Sequence, residues 1–207
     1  MDNYERALVY ARGLFLKWDQ EKIIARAGLE ADGEYIYLHF LGLPHCIRRE
    51  SGEIFRMGEE RLPCGFSASL SIFDYLCREG ALPIARGELY PVNSLKHVAQ
   101  SSPSDISFHQ SHADRMMEHL PALREAVKRL GISPFPQGDA ACVFPVFNGF
   151  SAIFQFWEGD EEFPPSVRFL WRENAQEFLK YETIYYVMGC ILERIWEVIA
   201  EIEKNVK

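Results

Sequence analysis

A chain of 207 residues with 48% hydrophobic and 25% charged residues has the balance of a folded globule, and its net charge of −8 argues against binding nucleic acid. A phosphate backbone or an anionic membrane surface calls for clustered Lys and Arg, whereas the basic clusters here, Arg48-Arg49 and Lys128-Arg129, are two residues long. No apolar run approaches the roughly 20 residues of a bilayer span, so neither nucleic acid nor membrane is an expected partner.

The first predicted helix covers residues 4–18, with Tyr4, Leu8, Ala11, Phe15 and Trp18 on one stripe. Asp19 is placed to cap a short second helix carrying Ile23, Ile24 and Ala27, and Gly28 to stop it. The period then changes to two. Tyr35, Tyr37 and His39 alternate with Ile36, Leu38 and Phe40, which predicts a strand over 35–40 paired with a second over 45–49. Glu50-Ser51-Gly52-Glu53 turns the chain back towards Ile54 and Phe55. A helix over 67–79 would bury Leu70, Phe73, Leu76 and Cys77 and end at Gly80.

Residues 82–104 read as irregular, with Pro83, Pro91 and Pro103. Helical period returns over 110–130, where Pro121 should kink or divide the helix and Gly131 end it. Strands follow at 142–147, with Pro145 marking an edge or bulge, at 150–157 and at 167–171. A closing helix over 182–204 carries Ile184, Met188, Ile191, Ile195, Val198 and Ile202 in alternating steps of four and three, widened by Val187, Leu192, Trp196 and Ile199. Helices and strands are segregated, not alternating. The expected fold class is therefore α+β: an antiparallel sheet of hairpins and meander packed against several helices, in one domain over 1–207.

Cys46, Cys64, Cys77, Cys142 and Cys190 form no CxxC pair, and the opening residues hold no basic segment leading into an apolar one. Reduced thiols in a cytoplasmic protein without a signal peptide are expected, with no iron–sulfur or zinc site built from these cysteines alone.

Several patches could carry chemistry. The loop after residue 157 puts Glu158, Asp160, Glu161 and Glu162 together between Trp157 and Phe163, with Pro164-Pro165 at its exit. Converging carboxylates can hold a hard cation or raise one another's pKa, yet the spacing is not that of an EF-hand. The plainer reading is a solvated turn in which Gly159 supplies a special backbone angle and the flanking aromatics anchor the loop. His109, His112, Met116 and His119 fall at separations of three, four and three, a helical stripe that could ligate a transition metal or haem iron. The favoured reading is an ordinary half-buried helical face, because no Glu completes an HExxH pattern and Pro121 disturbs the end of the stripe. His45 and Cys46 are adjacent on a strand and so point to opposite faces, which argues against a catalytic dyad. Cys64, between Pro63 and Gly65, is the cysteine expected to be most reachable. No GxSxG, P-loop or GxGxxG fingerprint occurs. The aromatics of residues 135–178 read as sheet core before a ligand pocket.

The run Phe156-Trp157-Glu158-Gly159-Asp160-Glu161-Glu162-Phe163-Pro164-Pro165-Ser166 resembles the hallmark of a bacterial and archaeal family catalogued as domain of unknown function 3786. That hallmark is a strand, an acidic turn, Phe-Pro and a returning strand. The order of elements, including an early hairpin around Phe40-Leu41-Gly42, is similar over most of the chain. The resemblance implies an anaerobic microbe and, in some members, neighbouring iron–sulfur modules. It implies no reaction and no catalytic residues. Two departures stand out: Pro91-Val92-Asn93-Ser94 where relatives often carry a Gly pair, and Arg172 after Trp171 where they tend to carry a carboxylate.

The expectation for function is a non-catalytic accessory module that binds a small ligand, a metal or a protein partner. Its rim would be Trp157, Glu158, Asp160, Glu161, Glu162 and Phe163. The alternative is a metal-assisted enzyme combining those carboxylates with His109, His112 and His119. The sequence requires no cofactor and leaves the oligomeric state open.

Overall fold

In the computed structural model, residues 3–95 and 104–205 are described. Of the segment 82–104 that reads as irregular, residues 96–103, Pro103 among them, lie outside the described residues. The helices are α1 (Asn3–Lys17), α2 (Gln20–Ala27), α3 (Phe66–Leu76), α4 (Ser104–Glu118), α5 (Leu120–Leu130) and α6 (Tyr181–Lys204). The strands are β1 (Glu30–Ala31), β2 (Tyr35–Phe40), β3 (Leu43–Arg48), β4 (Ile54–Arg56), β5 (Leu62–Pro63), β6 (Leu89–Pro91), β7 (Ser133–Pro134), β8 (Ala140–Phe147), β9 (Phe150–Trp157) and β10 (Ser166–Arg172). The class is α+β. The strands divide between two antiparallel five-stranded sheets, in the orders β1-β2-β3-β4-β5 and β6-β10-β9-β8-β7.

The chain clusters into two compact units. The first comprises residues 1–84 and 176–190, the second residues 85–175 and 191–207, so α6 contributes to both.

In the first unit α2 begins as its sequence demands. Asp19 Oδ1 accepts from the Lys22 amide at 3.2 Å, and Gly28 takes the left-handed conformation that ends the helix. β2 and β3 pair in the register Tyr35↔Arg48 through Phe40↔Leu43, closed by the two-residue turn Leu41-Gly42. Ile36, Leu38 and Phe40 are buried, as the period-two pattern requires. Gln20 Nε2 donates to the Arg49 backbone carbonyl at 2.9 Å and Gln20 Oε1 accepts from Arg49 Nε at 3.0 Å, which ties α2 to the β3–β4 turn. α3 is shorter than its sequence suggests. It ends at Leu76 with Cys77 as cap, not at Gly80, because the Arg26 guanidinium reaches in and donates to the carbonyls of Leu76 and Arg78. That contact satisfies acceptors which a helix end otherwise leaves to water.

In the second unit β6, a short edge strand inside the stretch read as irregular, pairs with β10 at Leu170↔Pro91 and Trp171↔Tyr90. Pro91 is tolerated because the edge asks for fewer ladder donors. α4 starts at Ser104, earlier than the expected residue 110. Pro121 does divide the helical stretch: α4 stops, His119 sits at the break, and Pro121 occupies the first turn of α5, where no intrahelical N–H is needed. Pro145 coincides with a register irregularity between Pro145 and Phe147 in β8. Phe144, Phe150, Phe154, Phe156, Phe169 and Trp171 fill the core of this unit, with Phe150 and Trp171 stacked at 5.6 Å. On α6, Ile184, Met188, Ile191, Ile195 and Val198 are buried, while Glu193, Glu197 and Glu201 face solvent. No helix among the described residues is long and apolar enough to cross a membrane.

Candidate functional site

β9 and β10 pair from Ser166↔Trp157 to Leu170↔Ile153, leaving residues 158–165 as a projecting loop. Its shape is set from inside by one carboxylate. Asp160 Oδ1 accepts from the amides of Glu162 and Phe163, each at 2.8 Å, while the Asp160 amide donates to the Phe163 carbonyl at 2.9 Å. These amide bonds, Phe163's first, hold the Asp160 carboxyl below the usual carboxylate range.

Gly159 contributes differently from the expectation. It has no positive φ; instead, a Cβ there would stand 2.7 Å from Pro165 Cδ and 2.8 Å from its nitrogen. The residue is glycine because the two limbs of the loop touch. At the base, the Glu158 amide donates to Asp139 Oδ2 at 2.7 Å and its side chain is ion-paired with Arg124 of α5. On the other limb the Pro165 carbonyl accepts from Gln110 Nε2 of α4 at 3.1 Å.

Of the flanking aromatics, Phe163 does not anchor the loop, while Trp157 keeps most of its surface covered. Phe163 is 67% exposed and Trp157 37% exposed. Hydrogen bonding from Asp160 and close packing at Gly159 hold the loop, which leaves both rings at the surface beside the exposed Glu161 and Glu162. The carboxylates thus have separate duties: Glu158 binds Arg124, Asp160 binds the loop's own backbone, and Glu161 and Glu162 are solvated.

The histidine stripe lies in the same unit and meets other partners. His109 packs against Phe169 of β10 with ring centres 5.8 Å apart. His112 Nδ1 accepts from Trp196 Nε1 at 3.1 Å, which requires the ring neutral at that nitrogen; burial, with Arg115 second, keeps its pKa below the ordinary value. Met116 is fully buried. His119 Nδ1 lies 2.5 Å from Glu203, and its ring meets Trp196 edge-on at 5.5 Å. The helical spacing read from the sequence is therefore an α4–α6 packing face, with Arg115 stacked 4.4 Å over Trp196. Among the described residues, no three His, Cys, Asp or Glu side chains converge on a point that could hold a metal ion.

Burial holds the thiols of Cys46, Cys64, Cys77 and Cys142 protonated. Cys64 is half-buried, as is Cys77, and burial pushes its thiol up to about 11; Cys77 and Cys142 are pushed to about 12. His45 and Cys46 are both buried, and burial lowers the first and raises the second. Arg124, Asp139 and Gln110, which hold the loop in place, carry no sequence signal that points to it. Each meets it only across the fold.

Two antiparallel five-stranded sheets, with an acidic loop between β9 and β10 that Asp160 braces from inside, define an α+β protein. Residues 19–194 match the family described as Domain of unknown function (DUF3786), and the chain belongs to that family. No curated protein and no solved structure matches the chain.

Proposed function

We propose that the protein is a non-catalytic accessory module of the cytoplasm whose β9–β10 loop is a recognition rim for a basic segment of a protein partner. One observation carries this reading: Phe163 stands 67% exposed on a loop that Asp160 clamps through its own backbone. A loop backbone held in one shape outside the core has already given up much of its conformational freedom, so less ordering entropy is lost when a partner meets the ring it carries. The neighbouring Glu161 and Glu162 are solvated carboxylates, the complement of Lys or Arg, and guanidinium also stacks on aromatic faces. A metal-assisted reaction would need loop carboxylates and α4 histidines on one ion. Here Glu158, Asp160, His112 and His119 each make other contacts, whereas the binding reading uses them as they stand.

The test is selection from a displayed peptide library rich in Lys, Arg and aromatic residues, with affinities of the selected peptides measured by calorimetry. The triple variant Glu161→Gln, Glu162→Gln, Phe163→Ala should weaken them at least tenfold with its melting temperature unchanged. Equal affinity for wild type and variant, or a library yielding no binder, would defeat the reading.

A further inference from the structure

The first unit holds a cleft of about 280 Å³ bounded by α1, α3 and the beginning of α6. One wall is apolar: Ala11, Leu14, Leu70 and Phe73. Where α3 ends and α6 begins, the lining turns polar. Asp74 is only 12% exposed; its Oδ2 accepts from the Lys180 amide at 2.7 Å, which fixes the carboxylate by a backbone bond. Its Oδ1 meets Lys180 Nζ at 3.3 Å, and that ammonium belongs to a side chain that is 76% exposed. The anion is thus immobile and the cation is free to move.

Lys180 is also where α6 begins, since its carbonyl accepts from the Ile184 amide at 3.1 Å. The first turn of a 24-residue helix brings amides that lack an intrahelical acceptor and roughly half a positive charge to this place. Glu182 adds a second carboxylate, and the buried Thr183 a hydroxyl. Asp74 and Glu182 against Lys180 leave one negative charge, and the helix end offsets about half of it. A lone anion would have to lie against two like charges, Asp74 and Glu182, and a lone cation against one, Lys180. A neutral molecule carrying both charges side by side would not.

We propose that this cleft binds a free α-amino acid with an apolar side chain. The ligand's ammonium takes the place of Lys180 Nζ at Asp74 Oδ1. Lys180 swings to the ligand's carboxylate, which also faces the start of α6, and the apolar side chain lies against Leu14, Leu70 and Phe73. The volume agrees, falling just under the range of about 300–1,000 Å³ that holds drug-sized ligands. Its one thiol, Cys77, is held protonated by burial. This site is independent of the rim proposed above.

The experiment is calorimetric titration of the full chain with L-leucine and L-phenylalanine, against L-leucinamide (ammonium only, like a peptide N-terminus) and N-acetyl-L-leucine (carboxylate only). At least one amino acid should bind, with both blocked forms at least tenfold weaker. Lys180→Gln, at an exposed side chain, should weaken binding at least tenfold with the melting temperature unchanged, and Leu70→Trp, which fills the cleft, should abolish it. Asp74→Asn loosens the start of α6 and is not relied on. The proposal is overturned by no binding of either amino acid, by leucinamide or acetyl-leucine binding as well as leucine, or by undiminished binding in a folded Lys180→Gln protein.

Discussion

Two hairpins of this molecule spend their turns in opposite ways. β2–β3 closes through Leu41-Gly42, with φ of 53° and 74°, the mirror-image turn that matches strand twist. It even buries the Leu41 side chain, although a left-handed leucine costs on the order of 1–2 kcal/mol. β9–β10 instead takes an eight-residue loop, 158–165, keeps its backbone near ordinary angles, and fixes it with Asp160 while exposing Phe163. The first hairpin accepts strain so that apolar surface is buried. The second is held by polar bonds so that apolar surface stays out. Stability and display are separate uses of one motif, and the difference is decided by what the turn residue touches.

The sharpest way to break the comparison is to remove one phenylalanine from each hairpin. Phe40→Ala, at a fully packed ring beside the tight turn, should cost about 3–5 kcal/mol in denaturant unfolding. A cost near zero would mean that the first hairpin is not core.

Trp196→Ala tests whether the histidine face is packing. It removes a half-buried ring together with its bond to His112 and its stack on Arg115, and should cost about 2–4 kcal/mol. An unchanged stability accompanied by loss of a dimer on a sizing column would make this face an interface between copies.

Gly159→Ala should cost about 1–2 kcal/mol and disturb the loop, because the new methyl meets Pro165 backbone and ring that cannot both retreat. Amide exchange confined to residues 158–165 would report it.

Acidification probes the polar clamp. Asp160 is depressed from its ordinary value of 3.8, so its contribution is complete above that pH and is lost as pH falls through the lower folded value. The amide resonances of Glu162 and Phe163 should therefore move only below 3.8, with the rest of the fold unaffected. Movement centred near or above 3.8 would show that the clamp is absent.

The smallest effect belongs to the displayed ring. Phe163→Ala should stay within about 0.5 kcal/mol of wild type, a near-silent counterpart of Phe40→Ala.

Much of the local structure was legible in the residues themselves. Asp19 and Gly28 mark the ends of α2, Tyr35–Phe40 and Phe150–Trp157 are strands with the expected pairings, and Pro121 separates α4 from α5. One further signal lay in plain view: Asn148-Gly149, flanked by aromatic strands, dictates the two-residue turn between β8 and β9. The two-residue strands β1, β5 and β7 and the edge strand β6 were not legible, because a run of two or three residues has no period.

The candidate site divides along the same line. Its four carboxylates and two aromatics stand together in the sequence, yet nothing there separates Glu158, bound to Arg124 thirty-four residues away, from Glu161, which is solvated. Nor does it reveal that Phe163 faces out, or that His112 and His119 are engaged by Trp196 and Glu203, each eighty-four residues on.

The sequence by itself determined the longer helices and strands and the apolar stripe on each, since both follow from spacings of two to four residues and from turn and cap chemistry. Only the tertiary structure decided that the strands form two sheets, which carboxylate is spent on a partner, and that Asp74 and Lys180 meet beside a cleft. Those outcomes depend on which surfaces meet once apolar area is withdrawn from water, and residues brought together from across the chain carry no local mark of it.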